Sequence, residues 1–191
     1  DIAVMRALPN MTVLSPSDSI MAAGFARMSC QMPTPNYVRL DREVLPLLYQ
    51  PDTNFADGLA ALRTGDDMCI IATGNMVHRA IEVSDKLQEA GINAGVIDLY
   101  RIKPIDQELL LASLKQVKRI VTLEEHLLTG GLGSAVLETL ADSNKVIPIK
   151  RIGIQDKYLY AYGGRNNIQA TCGLDADSVT KTILEWLKKN D

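Results

Sequence analysis

Met68-Cys69-Ile70-Ile71-Ala72, Thr73-Gly74-Asn75, a stretch carrying Val77, Ala80, Ile81 and Leu87, then Gly91 and Ala94-Gly95-Val96-Ile97-Asp98-Leu99 follow one another without a break. A short apolar run bounded by turn residues predicts a buried strand. The 3.6-residue spacing after Asn75 predicts a helix with Asn75 as its cap and Gly91 at its end. The second apolar run predicts another buried strand. Strand, helix and strand in 32 residues form a parallel crossover unit.

Towards the C-terminus the alternation continues. A helix is expected over Leu109, Leu110 and Leu114 after Lys103-Pro104, a strand over Arg119–Leu123, and a helix over Leu132–Leu140. A strand over Val146–Ile152 and a helix over Ala176–Lys189 close the chain, with Asp175 and Asp177 at the helix start and Lys188-Lys189 at its end, as its dipole favours. The fold class is α/β, a mostly parallel sheet with helices on both faces.

Towards the N-terminus the pattern changes. Pro46, Pro51-Asp52 and Asp57-Gly58 mark residues 42–65 as a linker, with a short strand over Gly58–Arg63. Residues 1–41 read as a helix over Ile2–Leu8, a strand over Met11–Leu14, a helix capped by Ser15 with Pro16 at its first position, and a strand over Asn36–Leu40. Two strands and one crossover helix are too little to close a core. Residues 1–41 therefore look like the back half of a parallel α/β domain completed elsewhere, and a chain starting at Asp1 reads as a piece of something longer. Residues 66–191 are long enough to bury a core of their own.

Composition excludes several classes. With 47% hydrophobic residues and a net charge of −3, the chain lacks the bias of a disordered segment and the basic excess of a nucleic-acid domain. No apolar run reaches a membrane span. Three widely spaced cysteines (Cys30, Cys69 and Cys172) fit neither a disulfide framework nor a zinc site, and favour a reducing, cytoplasmic setting.

Five groups could carry chemistry. Gly130-Gly131-Leu132-Gly133 between a strand and a helix could cradle phosphate, but it is an imperfect dinucleotide fingerprint, and close helix–strand packing is favoured. Glu124-Glu125-His126 at a strand end could do acid–base work, yet neighbouring strand residues face opposite ways, so a structural role is favoured. His78 in the first turn of a helix reads as solvated, with no local support for a metal. Tyr158, Tyr160 and Tyr162, before Gly163-Gly164-Arg165, suit packing against a second subunit. Arg39-Leu40-Asp41-Arg42 ends a strand where a guanidinium suits phosphate or carboxylate, or an ion pair with a neighbouring acid.

Taken together, these residues resemble a known family. Arg6, Pro9-Asn10, the apolar strand and Pro16-Ser17-Asp18, then Tyr37-Val38-Arg39-Leu40-Asp41-Arg42, are similar to the later half of the pyrimidine-binding domain of transketolase-type enzymes. Val121–His126, Gly130–Gly133, Ile152-Gly153-Ile154-Gln155-Asp156 and Gly173-Leu174-Asp175-Ala176 resemble their C-terminal domain. Arg39–Arg42 and Leu45-Pro46-Leu47-Leu48-Tyr49 look most like the C-terminal subunit of a split transketolase. The resemblance implies a three-layer α/β/α C-terminal domain over residues 66–191, five-stranded, with an antiparallel edge strand near Gly58–Arg63. It implies transfer of a two-carbon ketol unit between sugar phosphates by thiamine diphosphate, with magnesium, in the complete enzyme. An N-terminal diphosphate-binding subunit and a homodimer through the C-terminal domain are the implied partners.

No Gly-Asp-Gly occurs here, and the cofactor-activating glutamate belongs to the absent front half, so no catalytic, cofactor or metal residue is expected in this stretch. The resemblance implies that Arg42 holds the substrate phosphate, with Arg39 a weaker candidate. Two other readings stand beside this one. The first is the C-terminal part of 1-deoxy-D-xylulose-5-phosphate synthase; the second is a non-enzymatic regulatory domain on the same scaffold.

Overall fold

The computed structural model describes residues 1–160 and 162–189. In chain order its elements are α1 (Ile2–Ala7), β1 (Thr12–Leu14), α2 (Ser19–Ser29), β2 (Asn36–Val38), β3 (Ala60–Arg63), β4 (Met68–Ala72) and α3 (Met76–Glu89). Then follow β5 (Ala94–Asp98), β6 (Arg101–Lys103), α4 (Gln107–Ser113), β7 (Ile120–Leu127), α5 (Leu132–Asp142), β8 (Ile149–Ile154), α6 (Arg165–Thr171) and α7 (Ala176–Lys188).

The larger sheet has the order β3-β5-β4-β7-β8. Every pairing in it is parallel except that of β3, the expected edge strand, which runs against β5. β3 thus lies inside the stretch read as linker. Alternation along β4 builds the layers: Met68, Ile70 and Ala72 pack with Val77, Val83, Val179 and Ile183 of α3 and α7. Cys69 and Ile71 turn the other way, into Leu110, Leu132 and Val136 of α4 and α5. The result is the three-layer α/β/α fold.

A smaller sheet, β2-β1-β6, carries the N-terminal residues. β1 is parallel to β2 and antiparallel to β6, a strand too short to give a sequence pattern. Leu14, Met21 and Phe25 pack on Phe55 and Tyr100, with the three rings 5.8–5.9 Å apart. Residues 1–41 thus share their core with the rest of the chain: on this side the cover expected from elsewhere comes from residues 55–103.

Four local expectations change. Helix α2 is capped by Asp18, not Ser15: the Ser15 N–H is donated to Tyr100 O, the backbone is still extended at Asp18, and the helix starts only at Ser19. Asp18 Oδ1 accepts from Met21 N at 2.7 Å, while Oδ2 accepts from Leu48 N and Tyr49 N, tying the linker to the helix start. Asn75 occupies the cap position of α3 without a capping bond. β8 begins at Ile149, after a turn with Asn144 at φ 53°, and Val146 is solvent-exposed. β7 runs on to Leu127, so Glu124-Glu125-His126 lies within a strand.

Candidate functional site

At the carboxyl ends of β2, β4 and β7 the structure gathers a network of charges. Arg165, the first residue of α6, donates from Nε and Nη2 to Glu125 Oε2 at 2.8 and 2.5 Å. Its Nη2 also reaches Asp41 Oδ1 at 2.8 Å, and Nη1 reaches Glu43 Oε2 at 3.3 Å. Glu125 is held from the other side by Asn75 Nδ2 at 2.5 Å, which explains why Asn75 does not cap its helix. Burial pulls the Arg165 guanidinium towards neutrality, but the carboxylates of Glu125 and Asp41 more than reverse this and keep it charged. Gly74 closes the floor: its φ is +59°, and a Cβ there would meet Ser15 Oγ at 2.8 Å and approach Asp41.

Of the two arginines expected to bind phosphate, Arg39 takes the ion-pair alternative, with Nε 3.2 Å from Asp1 Oδ2 and Nη1 3.4 Å from Asp41 Oδ2. Arg42 is exposed, and among the described residues no side chain pairs with it. Both lie beyond the end of β2, in a loop: the strand expected to run to Leu40 stops at Val38.

The Glu-Glu-His motif divides three ways. Glu124 is fully buried and accepts from Leu132 N at 2.6 Å and Gly133 N at 2.8 Å, at the N-terminus of α5. The glycine turn therefore meets the chain's own carboxylate, in the place where a phosphate would sit. Burial pushes the Glu124 carboxyl up to about 7 against the pull of those two N–H groups. His126 donates from Nδ1 to Leu127 O and accepts the Ala3 N–H at Nε2, stapling α1 to β7. His78 is likewise engaged, with Nε2 2.8 Å from Ser17 O. Tyr158, Tyr160 and Tyr162 stand almost fully exposed.

Two groupings escape sequence reading. Arg165 sits in a polar loop whose seven-residue helix has no apolar period, and nothing local signals its three acidic partners. Asp98 is the other: fully buried at the end of β5, its Oδ2 accepts from Ser17 Oγ at 2.6 Å and Tyr49 OH at 2.9 Å. A lone acid in an otherwise apolar strand was the available signal.

Comparison with known proteins shows the family of the chain. The family described as transketolase, C-terminal domain, matches residues 58–179. One of the subunits of the apulose-4-phosphate transketolase of Phocaeicola vulgatus is 38% identical over 191 residues, covering 99% of this chain and 60% of that protein. The 1-deoxy-D-xylulose-5-phosphate synthase of Gloeobacter violaceus is 36% identical over 193 residues, covering 98% of this chain and 30% of that one. A split-gene transketolase solved as an inactive β4 tetramer superposes with a TM-score of 0.89 at 35% identity, over 96% of this chain and 60% of that chain. The chain thus spans well under two thirds of the length of these relatives. It belongs to the family of the transketolase C-terminal domain.

Proposed function

We propose that the chain is the C-terminal part of a split transketolase, moving a two-carbon ketol unit between sugar phosphates in an assembly with an N-terminal, diphosphate-binding subunit. The observation that carries this reading is Arg42. It is a guanidinium without a protein partner among the described residues, exposed at the carboxyl edge of parallel strands, where α/β folds bind ligands. Bidentate contact with a phosphate suits such a group. Arg39, already committed to Asp1 and Asp41, contributes positive potential there but has less freedom to turn to a ligand.

Thiamine diphosphate and magnesium supply the carbanion chemistry in this reading, but the residues described here do not fit them. The glycine-rich start of α5 is filled by Glu124, and no group of three or more metal-ligating side chains occurs among the described residues. The cofactor then sits on another part of the assembly. Support for such a partner comes from the Phocaeicola vulgatus relative, itself a single subunit of its transketolase, and from Val4, Leu40, Val44 and Leu47, which leave 62–99% of their surface exposed around the N-terminal zone. The β4 assembly of the split-gene relative supports self-association as well, for which Tyr158, Tyr160 and Tyr162 offer an amphipathic surface.

The synthase relative favours one rival, condensation of pyruvate with glyceraldehyde 3-phosphate. Assaying the reconstituted assembly with both substrate sets decides between them: deoxyxylulose phosphate as product would replace the transketolase reading. Within the correct assay, Arg42→Ala is expected to raise KM for phosphorylated sugars by about tenfold or more, the loss of one charge-assisted contact. Unchanged KM would remove Arg42 from the site.

A further inference from the structure

Arg42 is flanked in sequence by two carboxylates, Asp41 and Glu43, and lies in a stretch, residues 39–59, without helix or strand. Left to themselves, two anions beside it would repel a phosphate dianion and the loop would leave the guanidinium unplaced. Both anions are instead bound by one side chain. Arg165 meets Asp41 at 2.8 Å through Nη2 and Glu43 at 3.3 Å through Nη1, while Nε and the same Nη2 hold Glu125. Glu125 belongs to β7 of the larger sheet, and Asn75 fixes it there. Arg39 is shared between Asp1 and Asp41, so the guanidinium that answers Glu43 and Glu125, and part of Asp41, is Arg165. Without Arg165, Glu43 and Glu125 lose their guanidinium partner and the surroundings of Arg42 become more negative.

We propose that Arg165 is the positioning residue of Arg42: it neutralises the two carboxylates on either side and fixes the loop on the larger sheet, so that Arg42 is presented to the phosphate of the substrate. This rests on the reading of Arg42 as phosphate anchor. Arg165 touches no substrate itself. A fork suits the task, because the three carboxylates are met by three separate nitrogens, Nε, Nη1 and Nη2, which a single ammonium nitrogen does not replace in full.

The test uses the assembled full-length enzyme, with ribose 5-phosphate and unphosphorylated ribose as alternative acceptors. Arg165→Met is expected to raise KM for ribose 5-phosphate by about five- to tenfold, with kcat changed by less than about twofold and KM for ribose unmoved. Arg165→Lys restores part of the loss. In an Arg42→Ala background, Arg165→Met adds nothing further, since its effect runs through the residue already removed. A structural tie alone would raise KM for both acceptors alike, or lower kcat for both, and either result overturns the proposal. So does a full additional loss on top of Arg42→Ala. If Arg42→Ala by itself leaves KM unchanged, the phosphate-anchor reading fails first, which separates the two claims. Should Arg165→Met not assemble, Arg165→Lys carries the same comparison: a smaller rise for ribose 5-phosphate alone supports the proposal, and an equal effect on both acceptors overturns it.

Discussion

Glu124→Ala is expected to destabilise the protein by about 3 kcal/mol, lowering its melting temperature by roughly 6–12 °C at this size. The carboxylate is fully buried and is the partner of the first two backbone N–H groups of α5, at 2.6 and 2.8 Å. Alanine leaves both donors buried and unpaired at the start of the helix. Glu124→Gln retains an acceptor oxygen without the charge, and its loss should be about half as large. Gly131→Ala attacks the same contact from the other side: a Cβ there runs into Glu124 Oε2 and lies 2.8 Å from His126 Nδ1. That variant is expected to be destabilised too, although it is an exchange of glycine for alanine at a helix boundary. Thermal unfolding followed by circular dichroism measures all three. If Glu124→Ala melted with the wild type, the carboxylate would not be the cap of α5.

The main sheet was legible in the sequence because its strands are buried on both faces. Met68–Ala72 and Ala94–Asp98 are apolar runs that need no tertiary information to be recognised. The amphipathic helices α3 and α7 were legible for the same reason, their apolar stripes at helical spacing. What the sequence conceals is pairing at a distance. β6 is three residues long and is a strand only because β1 lies beside it. The helix starts at Ser19 rather than just after Ser15, and the stretch before it is tied to Tyr100, 85 positions later, whose carbonyl accepts the Ser15 N–H. At the candidate site, the resemblance ranks Arg42 above Arg39, while the residues by themselves leave phosphate binding and an ion pair equally open for both. The contacts with Asp1 and Asp41 show physically that Arg39 is spoken for. Glu125 and Arg165 are 40 residues apart and Arg165 and Asp41 are 124 apart, so the network joining them has no local signature.

The stability of the junction between the two sheets is expected to fall as pH rises from about 4 to about 7, through Asp98. Its carboxyl is fully buried, at the point where Ser17 before α2, Tyr49 of the linker and the end of β5 meet. Burial pushes it from 3.8 up to about 7; the hydroxyls of Ser17 and Tyr49 pull it down and the Asp18 charge adds a further push upward. The folded chain therefore holds a proton that the unfolded chain releases near pH 4. Stability from this group is complete below pH 4, declines as pH rises, and is gone above about 7, a total on the order of 4 kcal/mol. Glu124, also raised to about 7, adds in the same direction. Asp67 and Asp175, both lowered, act in the opposite sense, gaining stability as pH rises through their own lower range. Subtracting the stability curve of Asp98→Asn, measured by urea unfolding from pH 4.5 to 8.5, cancels these shared contributions. The amide oxygen can still accept from Ser17 and Tyr49 and never ionises, so the variant should gain on the wild type as pH rises, and most above pH 7. Parallel curves over that range would mean that Asp98 does not change its protonation on folding, and that the two hydroxyls hold it as a carboxylate throughout.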